Sequence, residues 1–156
     1  MNSKSQLIYK RMPLHMIKLA AGAESIESFT NWQKQVIEQR SSAGLSANPV
    51  HETRMMPKRA KEILNGGSMY WVIKHKICLR QRIIEIERVE IEGAPKFCLI
   101  HFDPELVPVQ VKRKRPFQGW RYYKASDVPP DIDASAPAPI NTPLHLELAL
   151  KEAMVW

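Results

Sequence analysis

Between residues 69 and 113 four strand-like segments follow one another. One of them, 77–92 (ICLRQRIIEIERVEIE), is too long for a single flat strand. Strand side chains alternate between faces with a period of two. The alternation in 77–92 changes phase at Ile83-Ile84, so a bulge or bend is expected there. The flanking segments are 69–75 (MYWVIKH), 96–102 (KFCLIHF) and 106–113 (LVPVQVKR). Gly93-Ala94-Pro95 fits a hairpin turn. Pro108 lacks an N–H and belongs at an edge or an irregularity. A chain with this pattern must bury a curled antiparallel sheet.

The N-terminal half adds helices. Residues 14–20 alternate as a strand, with Leu14, Met16 and Lys18 on one face and His15, Ile17 and Leu19 on the other. Ser25 caps a helix over about 26–40, whose stripe of Ile26, Phe29, Val36 and Ile37, with Trp32 beside it, faces a core. Residues 41–53 read as a loop. Pro57 suits the first turn of a short helix through about 65 that buries Ala60, Ile63 and Leu64, ended by Asn65-Gly66-Gly67. The expectation is a single α+β domain over 12–125. It is a small bent antiparallel sheet or pseudo-barrel with two helices in its N-terminal half.

Residues 1–11 form a polar leader, and Met12 is an alternative start. Residues 126–143 contain five prolines and read as an extended linker. Residues 144–156 can form a short amphipathic C-terminal helix. Charge follows this division. Residues 1–125 hold 22 of the 23 Lys and Arg and 11 of the 16 acidic residues, a net of +11, whereas 126–156 carry −4. A basic body favours polyanions. No apolar run approaches a membrane span and no secretory signal stands at the N-terminus, so a cytoplasmic protein with no membrane partner is expected. Cys78 and Cys98 lie in apolar stretches and read as buried, reduced thiols.

No catalytic signature is found. The histidines have no ligand spacing, Gly66-Gly67 lacks the context of a phosphate loop, and Glu85, Glu87, Glu90 and Glu92 read as a solvent face. No metal, cofactor or catalytic residue is assigned. The chemistry instead concentrates in KRKRPFQGWRYYK, 112–124. Cations bind phosphates and exposed aromatic faces stack on unpaired bases. Lys112, Arg113, Lys114, Arg115 and Arg121 are therefore candidate phosphate contacts, and Trp120 or Tyr122 a stacking platform. Arg54, Lys58, Arg59, Arg80 and Arg82 form a second tier. The competing reading of the run is a solvated edge strand beside a core aromatic cluster.

Two resemblances add to this. The blocks TRMMPKRAKEILNGGSMYWVIKHKICLRQRI (53–83) and DPELVPVQVKRKRPFQGWRYYKASDVPPDI (103–132), with MPLHMIKLAAG, resemble an uncharacterised family of small alphaproteobacterial proteins, a domain of unknown function. PKRAKEILNGGSMYWVIKHK resembles the helix, glycine turn and strand of PUA-like and ASCH domains, pseudo-barrels that bind RNA or modified nucleobases. Ser68, Met69 and Tyr70 stand where the ASCH pattern has a Lys, and Trp71 and Val72 where it has an acid, which undermines amidohydrolase-type activity. The expected function is RNA binding through a basic, aromatic-lined surface. The alternative is a protein-interaction module contacting ribosomal or transcription machinery, and the third an enzyme acting on a modified nucleotide.

Overall fold

The computed structural model describes residues 12–132. The leader, the rest of the proline-rich segment and the C-terminal helix expected at 144–156 lie outside the described residues. Seven strands and two helices make an α+β domain around a bent, unclosed sheet. The strands are β1 (Leu14–Leu19), β2 (Val50–Thr53), β3 (Ser68–Ile73), β4 (Lys76–Val89), β5 (Phe97–Phe102), β6 (Val107–Arg113) and β7 (Trp120–Lys124). The helices are α1 (Ile26–Ser42) and α2 (Ala60–Leu64).

The long strand β4 organises the sheet. Its first half pairs with β3 on one edge and β6 on the other, and its second half pairs with β5. The exchange happens at a register shift between Ile83 and Glu85, where the alternation changes phase in the sequence. Pro108 sits in β6 beside another register shift, between Ile77 and Leu79 of β4. The order β2-β5-β4-β3-β1-β7 leaves β7 at one end and β2 at the other.

The sheet departs from antiparallel pairing at one place, where β1 and β3 run parallel. A parallel pair needs a long crossover, and α1, β2 and α2 all lie in this one. β2 is also a correction, because 50–53 read as loop. This four-residue strand pairs with β5 and is too short to show alternation.

Two clusters fill the two faces of the sheet. Trp71, Met69 and Ile73 of β3 pack with Met16, Phe29, Ile63 and Phe102 on one face. Tyr70 and Val72 pack with Ile17, Ile77, Val109 and Phe117 on the other. Every residue of β3 is therefore buried. Ser25 caps α1 through a reciprocal pair of hydrogen bonds with Ser28. The buried face of α1 carries a polar residue: Phe29 and Gln33 are buried, and Trp32 is 45% exposed. Gln33 and Gln81 exchange amide hydrogen bonds of 2.8 Å, and Gln81 also accepts from the Trp71 indole and donates to the Asp103 carbonyl.

The short helix begins at Ala60 and buries Ile63, while Leu64 is exposed. After it, Gly66 takes a positive φ of 96°. Gly67 is required for space: a Cβ there would lie 2.2 Å from the Leu14 carbonyl oxygen and 2.4 Å from that of Ile63.

Candidate nucleic-acid interface

β7 is the edge strand that carries the aromatic half of the basic run. Its pairing with β1 places Trp120 opposite Lys18 and Tyr122 opposite Met16, so these four residues share one face. Arg121 and Tyr123 take the other face by alternation. The contiguous sequence motif is thereby split into two surfaces.

On the first face Trp120 and Tyr122 meet edge to face with ring centroids 5.0 Å apart. The Arg59 guanidinium lies 5.5 Å from the Tyr122 ring centroid, and the Tyr122 hydroxyl accepts a hydrogen bond of 3.2 Å from the Arg59 backbone N–H. The Trp120 indole donates to the Met55 carbonyl at 2.9 Å and packs partly against the core. Trp120 is thus half-buried and pinned, while Tyr122 is 37% exposed. Arg54 and Lys58 are exposed on the segment that carries Met55. Arg59 also makes a bidentate contact with Glu62 at 2.6 and 2.8 Å. Such an exposed pair is worth little and yields to a stronger anion.

On the second face Phe117 is buried, with Arg121 4.6 Å and Lys114 5.8 Å from its ring centroid. Phe117 is therefore core, and its cations lie over it. Lys112, Arg113 and Arg115 are exposed. The Lys112 ammonium donates to the Asp127 carbonyl at 3.1 Å. Arg80 does not join them as an open cation: it makes two 2.7 Å hydrogen bonds to Asp131 and a third to Ser68. These bonds hold the Asp131 carboxyl below the usual range. Arg82 is exposed. Residues 126–132, read from sequence as the start of a linker, run along β6. Pro129 is buried, and backbone hydrogen bonds join Gln110 to Pro130 and Ile132 to Pro108.

A family model for a protein of unknown function (DUF1489) matches residues 16–156. The chain belongs to the DUF1489 family. No curated protein and no solved structure matches it. The DUF1489 match takes in β7, most of β1 and the whole basic run, so these residues lie within the family's own span.

Sequence reasoning missed a cavity of about 260 Å³ on the face that also carries Trp120. Phe29, Trp32, His51 and Trp71 are among its walls. Phe29 and Trp71 were legible as core residues, but nothing in their spacing links them to His51, which sat in a supposed loop. No helix among the described residues is long and apolar enough to cross a membrane.

Among the described residues, one side-chain cluster has metal-ligand chemistry. Glu85, Glu87 and His101 bring one ligand atom each to within 4.8 Å of the others. His101 Nε2 lies 3.1 Å from Glu87, and its Nδ1 lies 3.3 Å from the Asn48 amide nitrogen. With Nδ1 accepting from Asn48, Nε2 carries the proton and donates to Glu87, so the ring is already fully used. The thiols are equally inert. Both cysteines are buried, and burial pushes the Cys78 thiol up to about 12.

Proposed function

We propose that this DUF1489 protein is an RNA-binding module that holds a single strand along the β7 edge. The carrying observation is the ledge of Arg59, Tyr122 and Trp120, with a cation on a partly exposed aromatic pair. Tyr122 offers a stacking surface, and Arg54, Lys58 and Arg59 supply phosphate contacts beside it. Lys112, Arg113, Lys114, Arg115 and Arg121 extend the positive field around the edge. The resemblance of 57–76 to PUA-like and ASCH domains and the +11 charge of residues 1–125 support the same reading. The protein would act in the cytoplasm.

The test is the salt dependence of single-stranded RNA affinity. About six neutralised phosphates give a slope of log K against log salt of roughly −4. Replacing Lys112, Arg113, Lys114 and Arg115 by Gln is expected to flatten the slope by up to about 3 without sequence preference. Unchanged affinity in that variant at low salt, with the fold intact by circular dichroism, would remove the run from the site. Absence of RNA binding by the wild type would replace this reading with a protein-interaction module.

A further inference from the structure

Strand pairing gathers the ends of several strands at one end of the sheet. Trp120, Lys18 and Trp71 stand in one row across β7, β1 and β3. Two residues further along β3, Ile73 faces Lys76 of β4, and Lys76 faces Arg113 of β6. Lys74 and His75 form the two-residue turn between β3 and β4, where the sequence reads as strand through His75. Just after β6, the Lys114 N–H donates to the His75 carbonyl at 2.9 Å. The cations at 113–115 are therefore tied to the β3–β4 turn rather than to β7. Residues 114–119 then lead from this corner to Trp120.

The turn carries backbone strain. Lys74 and His75 have φ of 47° and 65°, and no other described residue except glycine has a positive φ. Positive φ at both central residues marks a type I′ hairpin turn, whose preferred sequence is Asn-Gly. Lysine is poorly suited to the first position. Its Cβ crowds the following carbonyl oxygen, and its side chain cannot bond back to the local backbone as that of Asn or Asp does. Lys74 and His75 are both exposed, so core packing does not account for the choice. Lys74, Arg113 and Arg115 make no ion pair among the described residues. Strained backbone of this kind clusters at ligand sites, where the side chains it presents are put to use.

We propose that the β3–β4 turn and the end of β6 form a phosphate-binding corner, with Lys74, Arg113 and Arg115 as its contacts, which grips the same RNA strand that the β7 ledge holds by stacking. This corner rests on the RNA reading of the β7 edge and gives it a second point of hold that does not read bases. A hairpin tip suits the task, because exposed cations on long stems meet phosphate oxygens without demanding a sequence. Along the sheet, four strand spacings separate β7 from β6, about 19 Å. Lys114 and Arg121, both over the Phe117 ring, carry positive charge between the two points.

The experiment titrates the full chain against labelled uridine and adenosine dodecamers, following fluorescence anisotropy over a range of salt. Lys74→Asn removes one charge and suits the turn better. It is expected to melt no lower than wild type, to bind both dodecamers about fivefold more weakly at about 50 mM salt, and to make the salt slope shallower by about 0.7. Lys74→Arg keeps the charge and is expected to bind within about twofold of wild type. Undiminished affinity in Lys74→Asn, with loss of affinity in Tyr122→Ala, would overturn the corner and leave the β7 reading standing. Loss confined to one of the two dodecamers would make Lys74 a base contact and overturn the phosphate assignment. A melting temperature several degrees below wild type in Lys74→Asn would show that the lysine serves the fold, and would overturn the proposal as well. Absence of binding to either dodecamer by the wild type at low salt would overturn both this corner and the β7 reading, and would assign the cations to an acidic protein partner.

Discussion

Trp71 and Trp120 stand on the same face of one sheet, each beside Lys18, yet they belong to different kinds of region. Trp71 is enclosed, and its indole N–H ends in a buried glutamine pair. Trp120 is half-buried on an edge strand, and its N–H ties down the carbonyl of a surface segment. The Trp71 region is apolar and assembled from distant pieces of chain. The Trp120 region is basic, and its aromatic residues come from one contiguous sequence run. Contiguity was the misleading property. It made 112–124 look like one surface, but the loop between β6 and β7 tucks Phe117 into the core, and strand alternation in β7 leaves Trp120 and Tyr122 to combine with Arg59, far away in sequence.

The sharpest way to break this comparison is to truncate both rings. Trp71→Ala is expected to cost on the order of 3–5 kcal/mol in urea unfolding, because a fully buried indole leaves a void. Trp120→Ala is expected to lose much less stability and more RNA affinity. Equal stability losses would make the ledge part of the core and end its role as a platform.

Gln81→Leu comes next. It leaves the Trp71 N–H, the Gln33 amide and the Asp103 carbonyl without their buried partner. The expected loss is about 1–3 kcal/mol. Gln33→Leu combined with Gln81→Leu is expected to lose less than the sum of the two singles, since one orphaned amide is removed with the other. Additive losses would show that the two amides do not depend on each other.

Acid separates the two faces. Burial is the main cause that lowers both His15 and His51 to about 4. Both imidazoles protonate near 6.5 when unfolded. The unfolded chain thus binds more protons below that value, so stability is full above pH 6.5 and falls as pH drops toward 4. Melting temperature is expected to decline by several degrees between pH 7 and pH 5, before most carboxylates titrate. His51→Phe should remove the part of that decline that belongs to the cavity and leave the part due to His15, whose Nδ1 accepts from the Ser68 N–H on the opposite face. A pH profile identical to wild type would show that His51 is not buried neutral.

Much of the architecture could be read from residue patterns. The Ser25 cap, the α1 span, the bend at Ile83-Ile84 and the burial of Trp71 all follow from local periodicity or local hydrogen bonding. What could not be read depends on partners chosen across the sheet. The direction of β1 against β3 is set by the crossover, not by either strand's own residues. Gln33 reads as a surface residue on α1 until Gln81 faces it. Arg80 reads as an open cation until Asp131 returns along β6 to meet it. The candidate site was legible as composition, cations beside aromatics, but not as geometry.

The smallest expected effect tests the geometry most finely. Tyr122→Phe removes only the hydroxyl that accepts from the Arg59 backbone N–H, a partly exposed bond at the start of α2. The released N–H can turn to water, so the loss should be about 0.5–1 kcal/mol. The ring keeps its contacts with the Arg59 guanidinium and with Trp120. RNA affinity is therefore expected to stay within about twofold of wild type, whereas Tyr122→Ala, which deletes the stacking face, should weaken it by about 1–3 kcal/mol. If Tyr122→Phe instead weakens RNA binding as much as Tyr122→Ala, the hydroxyl and its hold on Arg59 matter more than the aromatic face. The ledge would then act by positioning a cation, and base stacking at β7 would have to be given up.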